Sequence, residues 1–179
     1  MIQSPTELDH WYRQEDPWQY ETTFDDLKRK NILLSELPTS KYGRVLDIGC
    51  GHGYVTRDLP GKKVVGVDVS EKAIAQAQRY ARSHRLKHHH YQTANLFKLT
   101  STFQQPFDLI IITGVLYPQY IGQAHSLVYH VIDQLLEKSG ILVSVHVDAW
   151  YKARFPYLLL KDHYYKYREY NHRLEVYVK

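Results

Sequence analysis

The sequence lacks several features that would place it in a specialised class of protein. Its 179 residues include one cysteine, Cys50, which excludes an internal disulfide and fits a reducing cytosol. No apolar run approaches the length that spans a membrane, and the opening MIQSP has neither the basic nor the apolar region of a signal peptide. Internal repeats, low-complexity tracts and linkers are also missing. We therefore expect one cytoplasmic domain without a membrane partner.

A strong excess of charge of one sign is missing as well. The formal net charge is +4, and the basic residues look spread along the chain rather than gathered in a stripe. We therefore expect no nucleic-acid partner. The histidine run at 88–90 precedes a strand-like segment, so we interpret it as a strand edge rather than a metal site, and no metal is expected.

The most informative segment is RVLDIGCGHG at 44–53, which VVGVD follows at 64–68. Each apolar run ends in an acid, Asp47 in the first and Asp68 in the second. The alternating glycines of the first segment are Gly49, Gly51 and Gly53. This pattern is typical of a strand, a glycine loop, a helix and a second strand, with the glycines letting backbone approach a ligand. Asp47 can hold a cationic amino group, and Asp68 can accept hydrogen bonds from both hydroxyls of a ribose.

A dinucleotide site is the main alternative, because its fingerprint is G-x-G-x-x-G. Here Gly53 comes one place early, and Tyr54 stands where that fingerprint needs a glycine. A carboxylate at Asp47 is also unsuited to a pyrophosphate, which favours amide donors. The pattern favours S-adenosylmethionine, which carries an amine and a sulfonium, over NAD or a flavin and over a turn that binds nothing.

The rest of the chain alternates apolar strand-like runs with helical ones. Strands are predicted at 45–48, 64–67, 90–93, 107–112 and 141–146. Helices are predicted at 54–59, 123–138 and 149–160, with Gly140 as the C-cap of the second of these. Another helix is predicted to begin at Ser70 as N-cap, and its apolar face consists of Ala73, Ile74, Ala77 and Ala81. Two final runs, 164–169 and 174–178, predict a hairpin with its turn at 170–172.

The N-terminal segment predicts a helical cover for this core. Ser4, Pro5 and Glu7 form a capping box, and a second helix is predicted from Thr23 to Leu37, before Pro38. We therefore expect a single domain at 1–179, with a cover at 1–40 and a Rossmann-like core at 41–179.

The glycine segment and the two acids resemble the cofactor site of class I S-adenosylmethionine-dependent methyltransferases, a resemblance that covers about residues 44–146. It implies an α/β fold with a seven-stranded sheet, mostly parallel, an antiparallel C-terminal hairpin and helices on both faces. It also implies S-adenosyl-L-methionine as cofactor. The cofactor-binding residues then expected are Asp47, Gly49, Gly51, Gly53, Asp68, Val69, Asn95, Leu96 and Gly114. Asn95 departs from the acid that commonly contacts adenine, and a plain turn residue is its other interpretation.

The acceptor side is expected where the fourth and fifth strands end. Gly114 leaves room beside the sulfonium, and Tyr117 can point at the acceptor. His146 ends the fifth strand and is the candidate base, with Asp148 to orient it, although a strand-ending histidine can equally be structural. The Asn-Pro-Pro-Tyr and Pro-Cys motifs of base-methylating enzymes are missing, which disfavours nucleic-acid bases as acceptors.

Both ends of the chain resemble the nodulation protein S (NodS)-like group of methyltransferases. The matching segments are DPW at 16–18, TTF at 22–24, KRK at 28–30, LP at 37–38, KYREY at 166–170 and LEV at 174–176, with a histidine at His146. This resemblance implies N-methylation of a small amine or amino-sugar. O-methylation and a catalytically silent cofactor-binding protein stay open, and Thr113 and Gly114 depart from the acid that the group tends to carry there.

Aromatic side chains are available to cover the acceptor site from both sides. Trp11, Trp18 and Tyr20 precede the core, and Trp150 and Tyr151 follow the fifth strand. They can stack on a sugar ring or grip a methylated cation, or they can simply fill the core.

Overall fold

A seven-stranded sheet organises the molecule, which is described here as a computed structural model covering residues 3–179. The first two residues of the predicted cover lie outside this range. The strands are β1 (Arg44–Ile48), β2 (Lys63–Asp68), β3 (His89–Thr93), β4 (Phe107–Thr113), β5 (Leu136–Val147), β6 (Leu158–Tyr167) and β7 (Tyr170–Val178). Their order is β3-β2-β1-β4-β5-β7-β6. The first five are parallel and β7 is antiparallel to both its neighbours, so the fold class predicted from the sequence is confirmed.

Helices cover both faces of this sheet. They are α1 (Pro5–Trp11), α2 (Phe24–Glu36), α3 (Glu71–Ser83), α4 (Leu99–Thr102), α5 (Pro118–Ile121) and α6 (His125–Leu135). Leu33 of α2 packs with Val45 and Val64 on one face, whereas Val128 and Ile132 of α6 pack on the other. The central strand β4 is buried on both faces, which explains its nearly continuous apolar sequence.

Local signals fix the elements nearest the glycine loop. Ser4 caps α1 with the predicted capping box, and Ser70 caps α3 by accepting from the Ala73 N–H. The four residues predicted for the inner face of α3 are the buried ones. Because only two residues lie between the end of β2 and the start of α3, the N-terminus of α3 lies beside the carboxyl ends of β1 and β2.

Two predicted helices are wrong in extent. Residues 54–59 form only a single 3-10 turn, Thr56–Asp58, because Pro60 follows directly and disfavours helical backbone before it. The helix predicted at 123–138 ends at Leu135, and β5 begins with the next residue. Gly140 is therefore a strand residue rather than a C-cap, where a Cβ would come within 2.8 Å of the Glu137 carbonyl oxygen.

The segment after β5 also differs from its prediction. Residues 149–157 form a turn, an irregular stretch and a bend rather than a helix, and residues 158–160 are the start of β6. Arg173 explains this difference, because its Nη2 donates to the carbonyl oxygens of Tyr151 and Ala153, which a helix would need for its own hydrogen bonds. The β6–β7 hairpin is confirmed, but its turn lies at residues 168–169, with Arg168 at φ 51°, rather than at 170–172.

Among residues 3–179, no helix has the combination of length and apolar character that crossing a bilayer requires.

Candidate functional site

A cavity of about 400 Å³ opens at the carboxyl ends of β1, β2 and β4, and the N-terminal segment covers it. Ligands of open α/β sheets bind at this edge. The predicted site residues that line it are Asp47, Gly49, Gly51, Asp68, Val69, Asn95, Leu96 and Gly114. The structure thus brings together residues that lie as far apart in sequence as Asp47 and Gly114.

The glycine loop lets backbone and neighbouring side chains pack closely at the cavity. Gly49, Gly51 and Gly53 all take positive φ, at 76°, 53° and 85°. A Cβ on Gly49 would meet Val115 at 2.2 Å, and one on Gly51 would meet the Tyr12 hydroxyl at 2.5 Å. Gly53 does not line the cavity, but its N–H donates to the Cys50 carbonyl oxygen at 2.9 Å and closes the loop.

Asp47 is a buried carboxylate with one oxygen left free. The Thr56 hydroxyl donates to its Oδ2 at 2.6 Å, while Oδ1 is buried without a partner among the described residues. Burial raises the pKa of Asp47 to about 6, against the smaller opposing effect of the Thr56 hydrogen bond. A buried acceptor without a partner is costly, so this oxygen is suited to a cationic donor that enters the cavity.

Asp68 is held in a fixed orientation by backbone donors. The Gly51 N–H donates to Oδ2 and the Ser70 N–H to Oδ1, each at 2.9 Å. Burial raises the pKa of Asp68, and these hydrogen bonds oppose the shift. Each carboxylate oxygen keeps a second lone pair, so Asp68 can still accept from two neighbouring hydroxyls.

Asn95 and Leu96 lie side by side on the cavity wall. The Asn95 Oδ1 accepts from the Phe97 N–H at 2.9 Å and caps a 3-10 turn, Leu96–Lys98. Asn95 is therefore a turn residue, which is one of the two interpretations that the sequence left open. Its amide nitrogen stays available to a ligand. Gly114, at φ 67°, has open space where a Cβ would project, consistent with the predicted room beside it.

The two residues predicted for acceptor chemistry do not line the cavity. Tyr117 is buried, and its hydroxyl accepts from the Val147 N–H at 2.9 Å. Burial raises the pKa of Tyr117 to about 12. Its neighbour Tyr120 lines the cavity instead.

His146 of β5 is buried beside Arg173 of β7, and both of its ring nitrogens form hydrogen bonds. Its Nε2 lies 2.9 Å from Arg173 Nη2, and its Nδ1 lies 3.1 Å from the Ser144 hydroxyl. Since a guanidinium only donates, Nε2 is the acceptor and Nδ1 carries the proton. Burial, assisted by the charge of Arg173, lowers the pKa of His146 to about 3. Asp148 pairs with Arg173 at 3.0 Å rather than with His146. The catalytic role of His146 stays a prediction that this geometry does not favour.

The aromatic cover comes from the N-terminal side. Tyr12, Trp18 and Tyr20 line the cavity, and the Tyr12 and Trp18 rings stack with centroids 5.7 Å apart. Trp11 is exposed, and Trp150 packs edge-on against Tyr117 instead of lining the cavity.

Arg29 is a cavity residue that the sequence analysis missed. It lies on α2, is nearly buried, and is sandwiched between the rings of Tyr20 and Tyr167 at 5.1 and 5.4 Å. Asp26, fully buried, lies 3.4 Å from one guanidinium nitrogen, while Arg29 Nε has no partner among residues 3–179. Its sequence signals were only its place in the KRK segment at 28–30 and an acid and a base three apart on a helix, a spacing that is common on solvated faces.

Comparisons with known proteins identify the family of this chain. A family model described as a methyltransferase domain matches residues 39–175. Nodulation protein S of Sinorhizobium fredii (strain NBRC 101917 / NGR234) is 25% identical over 139 residues, which cover 75% of this chain and 62% of the relative. The chain therefore spans about three fifths of the length of that curated relative.

Two solved structures share the fold. The N-methyltransferase NodS of Bradyrhizobium japonicum WM9, in complex with S-adenosyl-L-homocysteine, superposes with a TM-score of 0.79 at 21% identity, covering 97% of each chain. Magnesium protoporphyrin IX methyltransferase (ChlM) of Synechocystis PCC 6803, with bound S-adenosylmethionine, gives a TM-score of 0.76 at 17% identity and covers 100% of this chain and 98% of that one.

The sheet order and the family match define the class as methyltransferases, and the two solved structures share the class I fold of this chain. The chain belongs to the methyltransferase domain family, and its resemblance to the NodS-like group is confirmed.

Proposed function

We propose that this chain transfers a methyl group from S-adenosylmethionine to the nitrogen of a small amine or amino-sugar. The observation that carries the proposal is the free, buried Oδ1 of Asp47 at the edge of a covered cavity. That oxygen fits the ammonium group of S-adenosylmethionine. A cofactor that carries a pyrophosphate has no such ammonium group. When bound, S-adenosylmethionine supplies an electrophilic methyl group on a sulfonium.

Four contacts account for the parts of the cofactor. Asp47 takes the ammonium, and the unpartnered Nε of Arg29 suits the carboxylate of the same amino-acid end. Asp68 takes the ribose hydroxyls. Asn95 and Leu96 take the adenine, by an amide hydrogen bond and by apolar contact. The glycine loop and Val69 supply the close backbone approach.

The acceptor enters beside Gly114, under the N-terminal cover. Tyr12, Trp18 and Tyr120 give this part of the cavity aromatic walls, which suit a sugar ring or an alkylammonium. A cavity of about 400 Å³ is small for two ligands, so it fits a compact acceptor. We therefore propose a small-molecule acceptor, with the segment up to residue 40 as the cover and the rest as the core of one domain.

Nitrogen is favoured over oxygen because of what lines the cavity. Within residues 3–179, its walls include no histidine and no lysine. An alcohol needs a base to remove its proton, whereas an amine that arrives uncharged attacks through its lone pair. The similar NodS of Bradyrhizobium japonicum is an N-methyltransferase, which supports the same choice.

Transfer of a labelled methyl group to matched acceptor pairs tests this proposal. Each pair presents an amine and its hydroxyl counterpart on the same carbon frame, such as glucosamine and glucose. We expect label in the amine member only, with faster transfer as pH rises towards the pKa of the amine. Label in the hydroxyl member would establish O-methylation, and binding of the cofactor without label in any acceptor would establish the silent cofactor-binding protein.

A further inference from the structure

The basic residues are spread along the chain, but the acidic residues are not, so the net positive charge is concentrated in one segment. Residues 72–107 contain six Lys and Arg, four His and no acid. The remaining residues carry 17 Lys and Arg against 19 acids, so outside this segment the formal charge is negative. Such an asymmetry marks a surface that attracts anions.

The structure places four of these cations on one edge of the molecule, which we call the basic edge. It consists of Arg79 and Arg82, three residues apart near the end of α3, and Arg85 and Lys87 in the turn before β3. All four are exposed, and none forms an ion pair within residues 3–179. Their charge is therefore free to act on a partner.

The basic edge is concave and carries an aromatic platform. A hollow of about 380 Å³ is lined by Arg82, Arg85 and Lys87, with His89 and His90 of the outermost strand. On the same helix, between Arg79 and Arg82 in sequence, Tyr80 is stacked between two planar groups: the Arg57 guanidinium 4.0 Å from its centroid and the His84 ring at 3.9 Å. His84 is exposed, so the outer face of this stack is open to a flat ligand.

We propose that the basic edge binds the phosphate backbone of single-stranded nucleic acid, with a base stacking on His84. Guanidinium groups match phosphates in charge and geometry, and basic side chains combined with an exposed ring on which a base can stack are the usual means of binding single strands. A membrane or an acidic protein fits less well, because each needs apolar contact and none of the exposed large apolar side chains lies in residues 72–107.

This surface is separate from methyl transfer. The basic edge lies at the C-terminal end of α3, and the cavity lies at its N-terminal end. Arg79, the member of the basic edge nearest the cavity along the helix, lies eight residues, or about 12 Å, from the first residue of α3, and the other three lie farther away. A bound strand is therefore docked at the basic edge rather than methylated there, and the inference does not depend on the acceptor.

Fluorescence anisotropy with a labelled single-stranded oligonucleotide of about 15 nucleotides tests the proposal. The test variant is Arg82→Glu, Arg85→Glu and Lys87→Glu together. The matched control is Lys28→Glu, Lys41→Glu and Lys138→Glu, which changes net charge equally at exposed lysines elsewhere. If circular dichroism shows that the test variant does not fold, a variant with Gln at the same three positions replaces it.

We expect the basic-edge variant to lose at least about tenfold in affinity and to flatten the dependence of log K on log salt by about 2, while the control stays within about twofold of the parent. Equal losses in both variants, or no binding by the parent at about 50 mM salt, would overturn the proposal. Preferential binding to phosphatidylserine vesicles or to polyglutamate would overturn it too, by assigning the edge to a membrane or an acidic protein.

Discussion

Asp47 is the residue on which the cofactor assignment depends most. Its buried, unpartnered oxygen is unfavourable when the cavity holds no cation, and the raised pKa of about 6 expresses that cost. A cationic amine that binds there would lower the pKa again. The same residue therefore links cofactor affinity to pH.

The pH dependence of S-adenosylhomocysteine affinity follows from this pKa. As pH falls through about 6, Asp47 takes up a proton and loses its attraction for the ammonium. We expect affinity at about pH 5 to be about tenfold lower than at about pH 7. Calorimetric titration at both pH values measures the change, and Asp47→Asn should bind weakly with little dependence on pH over this range. A parent affinity that does not change would contradict the assigned role.

His146 gives a second residue-scale prediction, this time on stability. The pKa of His146 falls from its ordinary value of 6.5 to about 3 in the folded chain. At pH values below about 6.5, this histidine therefore binds more protons in the unfolded state than in the folded state. Stability is therefore full above about pH 6.5 and is lost as pH falls towards 3.

Between about pH 7 and pH 5, we expect the unfolding free energy of the parent to fall by about 1 to 2 kcal/mol more than that of His146→Gln. His172, whose pKa also falls to about 3 through burial, accounts for a part that remains. Urea unfolding at the two pH values measures this, with His130→Gln, an exposed position on α6, as control. Turnover of folded His146→Gln should equal that of the parent at about pH 7. A large loss of turnover would restore His146 as the base.

The residue-scale site was only partly accessible from the sequence. Asp47 and Asp68 could be predicted because their meaning depends on spacing within one short segment. Arg29 could not, because its setting depends on Tyr167, which lies on the distant strand β6. His146 was placed at the right strand end, but its surroundings depend on Arg173 of β7.

At the scale of elements, α3 joins the sheet to the N-terminal cover. Ser70 caps it, and the same hydroxyl donates to Asp9 of α1. Gln76 donates to the carbonyl oxygens of Tyr12 and Gln14, further along the cover. No residue of α1 is buried, so these polar contacts carry much of its attachment.

Replacing the cap measures this contribution. Ser70→Ala should lower the unfolding free energy by about 1 kcal/mol, because the Ala73 N–H loses its acceptor and Asp9 its donor. Ser83→Ala, at the exposed end of the same helix, should cost less than about 0.5 kcal/mol. Chemical denaturation of both variants makes the comparison. Equal losses would show that the cap has no special weight.

The elements that were predicted well are those whose sequence decides them locally. The capped helices α1 and α3 and the apolar strand β4 needed no information from elsewhere in the chain. The helix predicted at 149–160 does not form because Arg173 binds its backbone carbonyls, a contact between residues about twenty apart in sequence. Such a contact overrides local propensity.

At the scale of the whole molecule, the type of sheet could be anticipated, whereas the strand order and the closing of the cavity could not. The β/α alternation, the final hairpin and the family resemblance predict a mostly parallel seven-stranded sheet with an antiparallel hairpin, which the structure confirms. Which aromatics cover the site depends on how residues 3–20 lie over the sheet. Trp18 and Tyr20 line the cavity, whereas Trp150 lies elsewhere.

The central claim is that the cavity at the ends of β1 and β2 holds S-adenosylmethionine, and calorimetric titration with S-adenosylhomocysteine tests it most directly. We predict one site per chain with a dissociation constant on the order of micromolar. Asp68→Ala should weaken binding by roughly 1.5 to 3 kcal/mol, and Glu137→Ala, an exposed acid outside the cavity, should bind like the parent. Tight NAD binding with no response to S-adenosylhomocysteine, or an Asp68→Ala variant that binds like the parent, would contradict the account.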